Sequence, residues 1–376
     1  MKYSHGIENL YTVHHILDGK RLGLITNPSA VNSRLCSTLD ILAAQYHVVR
    51  LFAPEHGVRG DKQAGVAIRN EIDAKTQIPV ESLYGSSHGG TLNTEGLDAV
   101  VYDIQDVGVR FYTYTYTMAN AMKACAKANI PFVVLDRYNP LGLLKVEGCL
   151  MDSRFDCAVG AYGLPTRHGM TIGELARYFN EEYAIGCALT VVPCQGLKRY
   201  MDFRHVNVAW VLPSPNCATY DTAVCYAGTV LFEGTNVSEG RGTVRPFELI
   251  GAPWMKNEEV IAEMEKKQLA GVLFRPTYFR PTFSKFKHEQ CQGLQIHVTD
   301  PDLFPAVRCG ILLVDTIRKL HPEFSFRGQD DRYFVDQLMG TDALRHENFD
   351  TDVFLRDQAP SLSAFKEKVK PYLLYT

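Results

Sequence analysis

Three stretches of this chain collect ionisable side chains where an apolar run stops. The first is Leu51 to Gly60, where Pro54, Glu55, His56, Gly57, Arg59 and Gly60 follow the apolar run 46–52. Pro and Gly end a strand and allow a tight turn, leaving a carboxylate, an imidazole and a guanidinium clustered there. The second follows the apolar run 97–105, which releases Gln105, Asp106, Arg110, Tyr112 and Tyr114. The third follows 130–135 and supplies Asp136, Arg137 and Asn139. Carboxyl ends of strands in an open α/β sheet are where ligands bind, so Glu55 is expected as a catalytic acid. Each cluster also has a plainer reading: a helix cap at Glu55, an Asp106–Arg110 pair in a Tyr-rich core, and an Asp136–Arg137 pair before an Asn-Pro turn.

Three more stretches extend this set. Arg167-His168-Gly169 precedes Thr171, which with Glu174 forms a capping box. A helix N-terminus attracts anions through its free N–H groups, so an acidic ligand group could sit there. Ser214-Pro215-Asn216 reads as a turn. The loop 233–248 carries Gly234, Gly240 and Gly242 among Glu239, Arg241 and Arg245, so its backbone can approach a ligand closely. Glu239 is the best second carboxylate by this reading. Aromatic faces with directional hydrogen-bonding tips suit a polyol ligand. His56 with Asp103 and Asp106 has no metal-ligand spacing, no GxSxG follows a strand, and no cysteine has a local activating partner, so no metal centre and no Ser or Cys nucleophile is expected.

The elements that must position these groups alternate. Strands at 21–26, 46–52, 97–105, 130–137 and 189–193 are separated by helices at 34–45, 113–128 and 171 onward. The spacing predicts an α/β fold, a Rossmann-like mostly parallel sheet with helices on both faces. After residue 250 the pattern changes to an amphipathic helix at 257–269, an aromatic and Pro-rich run 274–286, a strand at 292–299 and helices at 304–320, 336–344 and 362–369. We therefore expect a first domain over 1–250 and a smaller α+β domain over 251–376. No GxGxxG follows the first strand and no GxxxxGK[ST] occurs, so no nucleotide cofactor is indicated. Net charge is only −3, with scattered Lys and Arg, which argues against nucleic acid as a partner. No apolar run approaches the ~20 residues of a membrane span, and the N-terminus has no apolar signal core. Ten Cys without a CxxC pair suit a reducing compartment, so a cytoplasmic location is expected. Composition leaves the oligomeric state open.

In order along the chain, these motifs resemble the DUF1343 family of NamZ-type exo-β-N-acetylmuramidases (glycoside hydrolase family 171). The residues that carry the resemblance are Pro54–Gly60, Asp103–Tyr114, Asp136–Pro140, Arg167–Thr171, Pro213–Asn216, Glu239–Thr243 and Arg245–Glu248, with Phe279–Ser284 and Cys291–Asp300 beyond them. The resemblance implies a Rossmann-like domain and a smaller C-terminal domain with an active site in the cleft between them. It implies release of a terminal β-linked N-acetylmuramic acid (MurNAc) from peptidoglycan fragments, with no cofactor, and it maps the family's catalytic Glu to Glu55. His56 and Asp106 then tune that acid. The second role falls to Glu239 or to the substrate's own acetamide. The lactyl carboxylate of MurNAc calls for an arginine, with Arg241, Arg110, Arg167 and Arg59 as candidates in that order. A non-catalytic muropeptide-binding protein and a hydrolase of the lactyl-peptide arm remain open alternatives.

Overall fold

Strands that run apolar on both faces dictate a sheet covered on both sides, and the computed structural model contains one. It describes residues 2–55, 57–59, 71–83 and 92–376, so His56 and much of the polar stretch after it lie outside the described residues. In chain order, a 3-10 segment Gly6–Val13 leads to α1 (His14–Leu17), β1 (Leu22–Thr26), α2 (Thr38–Gln45), β2 (Val48–Ala53), β3 (Glu71–Ile72), β4 (Pro79–Ser82) and β5 (Ala99–Asp103). Then come α3 (Tyr114–Ala128), β6 (Phe132–Leu135), a hairpin of β7 (Glu147–Leu150) and β8 (Pro165–Arg167), α4 (Ile172–Glu182) and β9 (Leu189–Val192). The seven-stranded sheet has the order β3-β4-β2-β1-β5-β6-β9. All neighbours are parallel except β3 and β4.

Alternate residues enter two cores. Ile25, Phe52, Val100, Tyr102 and Phe132 face one side. Leu24, Leu51, Val101 and Val133 face the other, under Leu10, Leu17, Leu39 and Leu42. The chain moves outward from β1 through β2 to β4 and returns on the opposite side of β1 as β5. That reversal opens a crevice at the carboxyl ends of β1, β2 and β5, the ligand position of such sheets. The expected capping box forms at α4: Thr171 Oγ1 accepts from the Glu174 N–H at 3.2 Å, and Glu174 Oε2 accepts from the Thr171 N–H at 3.1 Å.

The second half contains α5 (Phe203–Val206), α6 (Tyr220–Thr229), β10 (Leu249–Ala252), α7 (Asn257–Glu265), β11 (Val272–Phe279), β12 (Cys291–Val298), α8 (Ala306–Leu320), α9 (Phe334–Met339) and α10 (Thr351–Val369). β10, β12 and β11 form an antiparallel sheet in that order. Helices α6 and α8 cross with their backbones in contact: a Cβ on Gly228 would lie 2.0 Å from the Ala306 carbonyl oxygen. Ile250, Leu294, Ile311 and Leu313 belong to the same apolar cluster as Val100 and Tyr102, so the two halves share one core. The boundary expected at 250/251 falls inside β10. Two elements differ from expectation. The aromatic and Pro-rich run 274–286, to which the sequence pattern assigned no element, supplies most of β11, and Pro276 is tolerated because β11 is an edge strand. The last helix starts at Thr351, not 362, capped by Asp350 accepting from the Val353 N–H at 2.9 Å, and it runs through Pro360.

Candidate active site

Glu55 stands two residues beyond the end of β2. Pro54 closes the strand, and the Gly57 N–H donates to the Pro54 carbonyl at 3.1 Å, with Gly57 at φ +80°. That turn requires a left-handed residue, which glycine supplies without strain. The half-buried Glu55 carboxylate is thereby aimed along the crevice toward the segment after β5. Thr113 Oγ1 lies 3.5 Å from Glu55 Oε2, and the Tyr114 hydroxyl lies 3.2 Å from the Glu55 carbonyl oxygen and 3.4 Å from that of Pro213. Glu55 lines a cavity of about 240 Å3, whose other walls include Tyr112, Tyr114, Asn216, Tyr226, Glu233 and Arg241. That is below the ~300–1,000 Å3 of sites for drug-sized ligands, and is room for one sugar ring. Among the described residues the Tyr112 hydroxyl is buried there without a hydrogen-bond partner of good geometry, with Ser214 beside it. Burial pushes that hydroxyl far above its usual pKa, so it stays a donor.

The second carboxylate in the cavity is Glu233, not Glu239. Glu233 sits in the 3-10 turn Val230–Gly234 that continues α6. Gly234 packs against the start of α9 so closely that a Cβ would lie 2.5 Å from the Val335 nitrogen. Arg241 Nη2 donates to Glu233 Oε1 at 2.5 Å, and its Nε faces Glu239 Oε1 at 3.4 Å. Its guanidinium also stacks on Phe247, 5.3 Å from the ring centroid. Burial raises the Glu233 pKa, Arg241 pulls it back down, and Glu239 adds to the rise. Glu239 is 3% exposed and accepts from Lys285 Nζ at 2.8 Å. The same ammonium donates to the Phe232 and Val237 carbonyls at 2.6 and 2.8 Å. Glu239 and Lys285 therefore tie down the loop that carries Glu233 and Arg241. Glu233 was in view in the sequence as the first residue of the Gly-rich loop. Nothing in the local sequence separates it from Glu239, since each is followed directly by a glycine.

The remaining expected site residues divide by what they touch. Tyr112, Tyr114, Asn216 and Arg241 share the cavity with Glu55. Others are interior. Arg110, fully buried, donates to the Cys149, Leu164 and Leu338 carbonyls, each at 2.8 Å, and so joins the β7–β8 hairpin to α9. Arg137 pairs with Asp103, not Asp136. Asp136 accepts from Thr171, the Gly173 N–H and Tyr375. Gln105 donates to the Asp106 and Tyr138 carbonyls, and Asn139 to that of Met170. Arg167 donates to the Leu141 carbonyl. His168 accepts from the Met170 N–H at Nδ1 and turns Nε2 toward Asp106 Oδ2 at 3.3 Å, and neither residue lines the cavity. Arg59 makes a bidentate pair with Asp73 at 2.8 and 2.9 Å. Arg245 pairs with Glu248 at 3.1 Å and faces a separate groove.

Comparison with known proteins decides the family. Residues 22–221 match the model of the exo-β-N-acetylmuramidase NamZ N-terminal domain, and residues 224–375 match that of its C-terminal domain. The chain belongs to the NamZ family. Peptidoglycan β-N-acetylmuramidase NamZ of Bacillus subtilis is 46% identical over 366 residues, covering 96% of this chain and 88% of that one. Crystal structures of two DUF1343 family proteins from Bacteroides fragilis also match. One has a TM-score of 0.89 at 33% identity and full coverage of both chains; the other has 0.80 at 30% and covers 99% of its chain. The two NamZ domain models meet between residues 221 and 224, in the first turn of α6. Glu55 therefore comes from the N-terminal NamZ half, and Glu233 and Arg241 from the C-terminal half.

Proposed function

We propose that this protein is an exo-acting glycosidase that releases terminal β-linked MurNAc from peptidoglycan fragments, with Glu55 as general acid. The observation that carries this reading is one sugar-sized cavity holding a carboxylate from each half of the chain, in a member of the NamZ family. Glycoside hydrolysis needs a proton for the leaving oxygen and a second group that activates water or stabilises the oxocarbenium-like transition state. In this reading Glu55 takes the first task and Glu233 the second. Tyr112 is a donor with nothing yet to bond, suited to a sugar hydroxyl or the acetamide. Arg241 uses Nε and Nη2 on Glu239 and Glu233. Its Nη1 remains for the lactyl carboxylate, which distinguishes MurNAc from N-acetylglucosamine (GlcNAc). Ten unpaired cysteines, eight of them buried, support action in a reducing compartment, on fragments already taken up by the cell.

The test is turnover of a chromogenic β-MurNAc glycoside. Glu55→Gln should fold with an unchanged Tm and lose at least about 10³ in kcat, in line with removal of a general acid. Near wild-type turnover in that variant would refute the assignment. Mass spectrometry of products from MurNAc-GlcNAc should show free MurNAc, which carries the new reducing end, and free GlcNAc, which neither a binding protein nor a lactyl-arm hydrolase produces.

A further inference from the structure

The 240 Å3 cavity takes one sugar, yet a substrate with an exo-cleaved end continues into a strand. A second, larger recess of about 720 Å3 lies on the β10–β12–β11 sheet. The two adjoin through one loop: Arg241 lines the cavity and Gly242 to Arg245 line the recess. Gly242, at φ +82°, is seated on the segment after β11, where its carbonyl accepts from the Thr282 N–H and hydroxyl, both at 2.9 Å. A Cβ there would lie 2.5 Å from the Phe283 carbonyl oxygen. The wall between cavity and recess is therefore a fixed backbone contact.

The floor of the recess is a cross-strand row, Leu249–Gln295–Arg275, set by the register of the three strands. Arg275 Nη2 donates to the neutral Gln295 amide oxygen at 2.7 Å. Among the described residues, neither Arg275 nor Arg280 has a carboxylate partner. Most other arginines beside the cavities have one, Arg59, Arg241 and Arg245 included. Aromatic surface accompanies the two cations: Tyr278 is 61% exposed and Phe283 41% exposed, and Phe279 covers the backbone of Gly251. Rigid strands thus present unneutralised guanidinium groups and exposed rings beside the loop that borders the reactive cavity.

We propose that this recess binds the aglycone glycan strand on the leaving-group side of the scissile bond, with Arg275 and Arg280 pairing with lactyl carboxylates of peptide-free MurNAc residues. A glycan of alternating GlcNAc and MurNAc carries such a carboxylate on every second sugar and an apolar face on each ring. Bidentate pairing by arginine and stacking on aromatic rings match those two features. This rests on the glycosidase reading above, and the protein then prefers strands to disaccharides.

Hydrolysis of the chromogenic MurNAc glycoside, MurNAc-GlcNAc and the peptide-free tetrasaccharide (MurNAc-GlcNAc)₂ tests it. The intact wild-type protein should show a kcat/KM on the order of tenfold higher for the tetrasaccharide than for the disaccharide, carried by KM. The Arg275→Ala/Arg280→Ala variant should lose that advantage and keep its activity on the two short substrates within about twofold, as expected for surface substitutions that leave the fold intact. Reducing the lactyl carboxylate of the second MurNAc should abolish the advantage in the wild type as well. Equal KM for short and long substrates, a length advantage that survives the double variant, or a preference for peptide-bearing strands lost in that variant would each overturn the proposal. Calorimetry of the tetrasaccharide with the Glu55→Gln protein reads the same contacts without turnover. Binding there that weakens in the double variant supports the recess even if the chromogenic glycoside is inert, which would refute the glycosidase reading alone.

Discussion

Replacing Arg241 by Gln separates the two tasks its guanidinium can perform. The Arg241–Glu233 contact is 2.5 Å long, with side chains 22% and 19% exposed. Two unit charges at an effective dielectric of ~20 attract by about 4 kcal/mol at 4 Å. Part of that is cancelled by the cost of keeping both groups out of water. A net loss of about 1.5–3 kcal/mol on the ionised form of Glu233 follows. The sign is fixed by the causes: burial already raises Glu233 and Arg241 opposes the rise, so its removal raises Glu233 further. If ionised Glu233 activates water, the acid limb of the kcat/KM profile reports its pKa. That limb should move to higher pH in Arg241→Gln, with roughly 10–100-fold loss below it, the rate equivalent of that energy, and convergence toward wild type above it. Arg241→Lys keeps a charge beside Glu233 and should restore the limb, while losing the planar fork that grips a carboxylate. The assay is a pH series on chromogenic β-MurNAc and β-GlcNAc glycosides. A uniform fall on the MurNAc substrate with an unmoved limb would refute the role given to Glu233 and leave Arg241 as a carboxylate ligand only.

The neighbouring carboxylates should separate cleanly. Glu239→Gln leaves Lys285 with two carbonyls and no anion, so it should cost about 1–3 kcal/mol by denaturant unfolding with only a modest fall in kcat; Glu233→Gln should lose kcat with Tm unchanged. Arg110→Met removes three charge-assisted bonds to buried carbonyls that join the two halves and should destabilise by about 3–5 kcal/mol, without changing the KM of the folded fraction. Burial raises Asp136 from 3.8 to about 7, against the opposing pull of Tyr375, Gly173 and Thr171. The native state therefore binds a proton that the unfolded chain releases, so stability present below about pH 4 falls as pH rises toward 7, by up to ~4 kcal/mol. Asp136→Asn should flatten that slope in denaturant titrations between pH 4 and 7.

The parallel sheet was legible because its strands are buried on both faces and read as unbroken apolar runs, Ala99 to Tyr102 among them. Glu55 was legible for the same reason: a strand that stops at Pro54 must turn at the sheet's carboxyl edge. Arg110, Arg137 and Asp136 stand at similar strand ends, yet they point inward. Their polar groups are satisfied by carbonyls of the β7–β8 hairpin and α9, by Asp103, and by Thr171 and Tyr375. Those partners are distant in sequence, and local pattern carries no information about them. Strand β11 was not read from the pattern at all; it carries Pro276, whose missing N–H matters only in a central strand, and edge position is a property of topology.

The same distinction accounts for Glu233 and Glu239. Both lie on one loop, and nothing local separates them. Lys285, 46 residues on, makes the difference: it takes Glu239 and two loop carbonyls. The shared guanidinium of Arg241 then has one carboxylate turned inward and the other turned into the cavity. Glu55, from the N-terminal half, shares its cavity with this loop, and the helix that leads into the loop, α6, crosses α8 with Gly228 and Gly310 in backbone contact. A reaction that needs both carboxylates thus depends on the packing between the halves as much as on either residue. Substitutions at Gly228 or Gly310 should accordingly impair turnover more than they impair binding of free MurNAc, because a bulkier helix crossing displaces one carboxylate relative to the other.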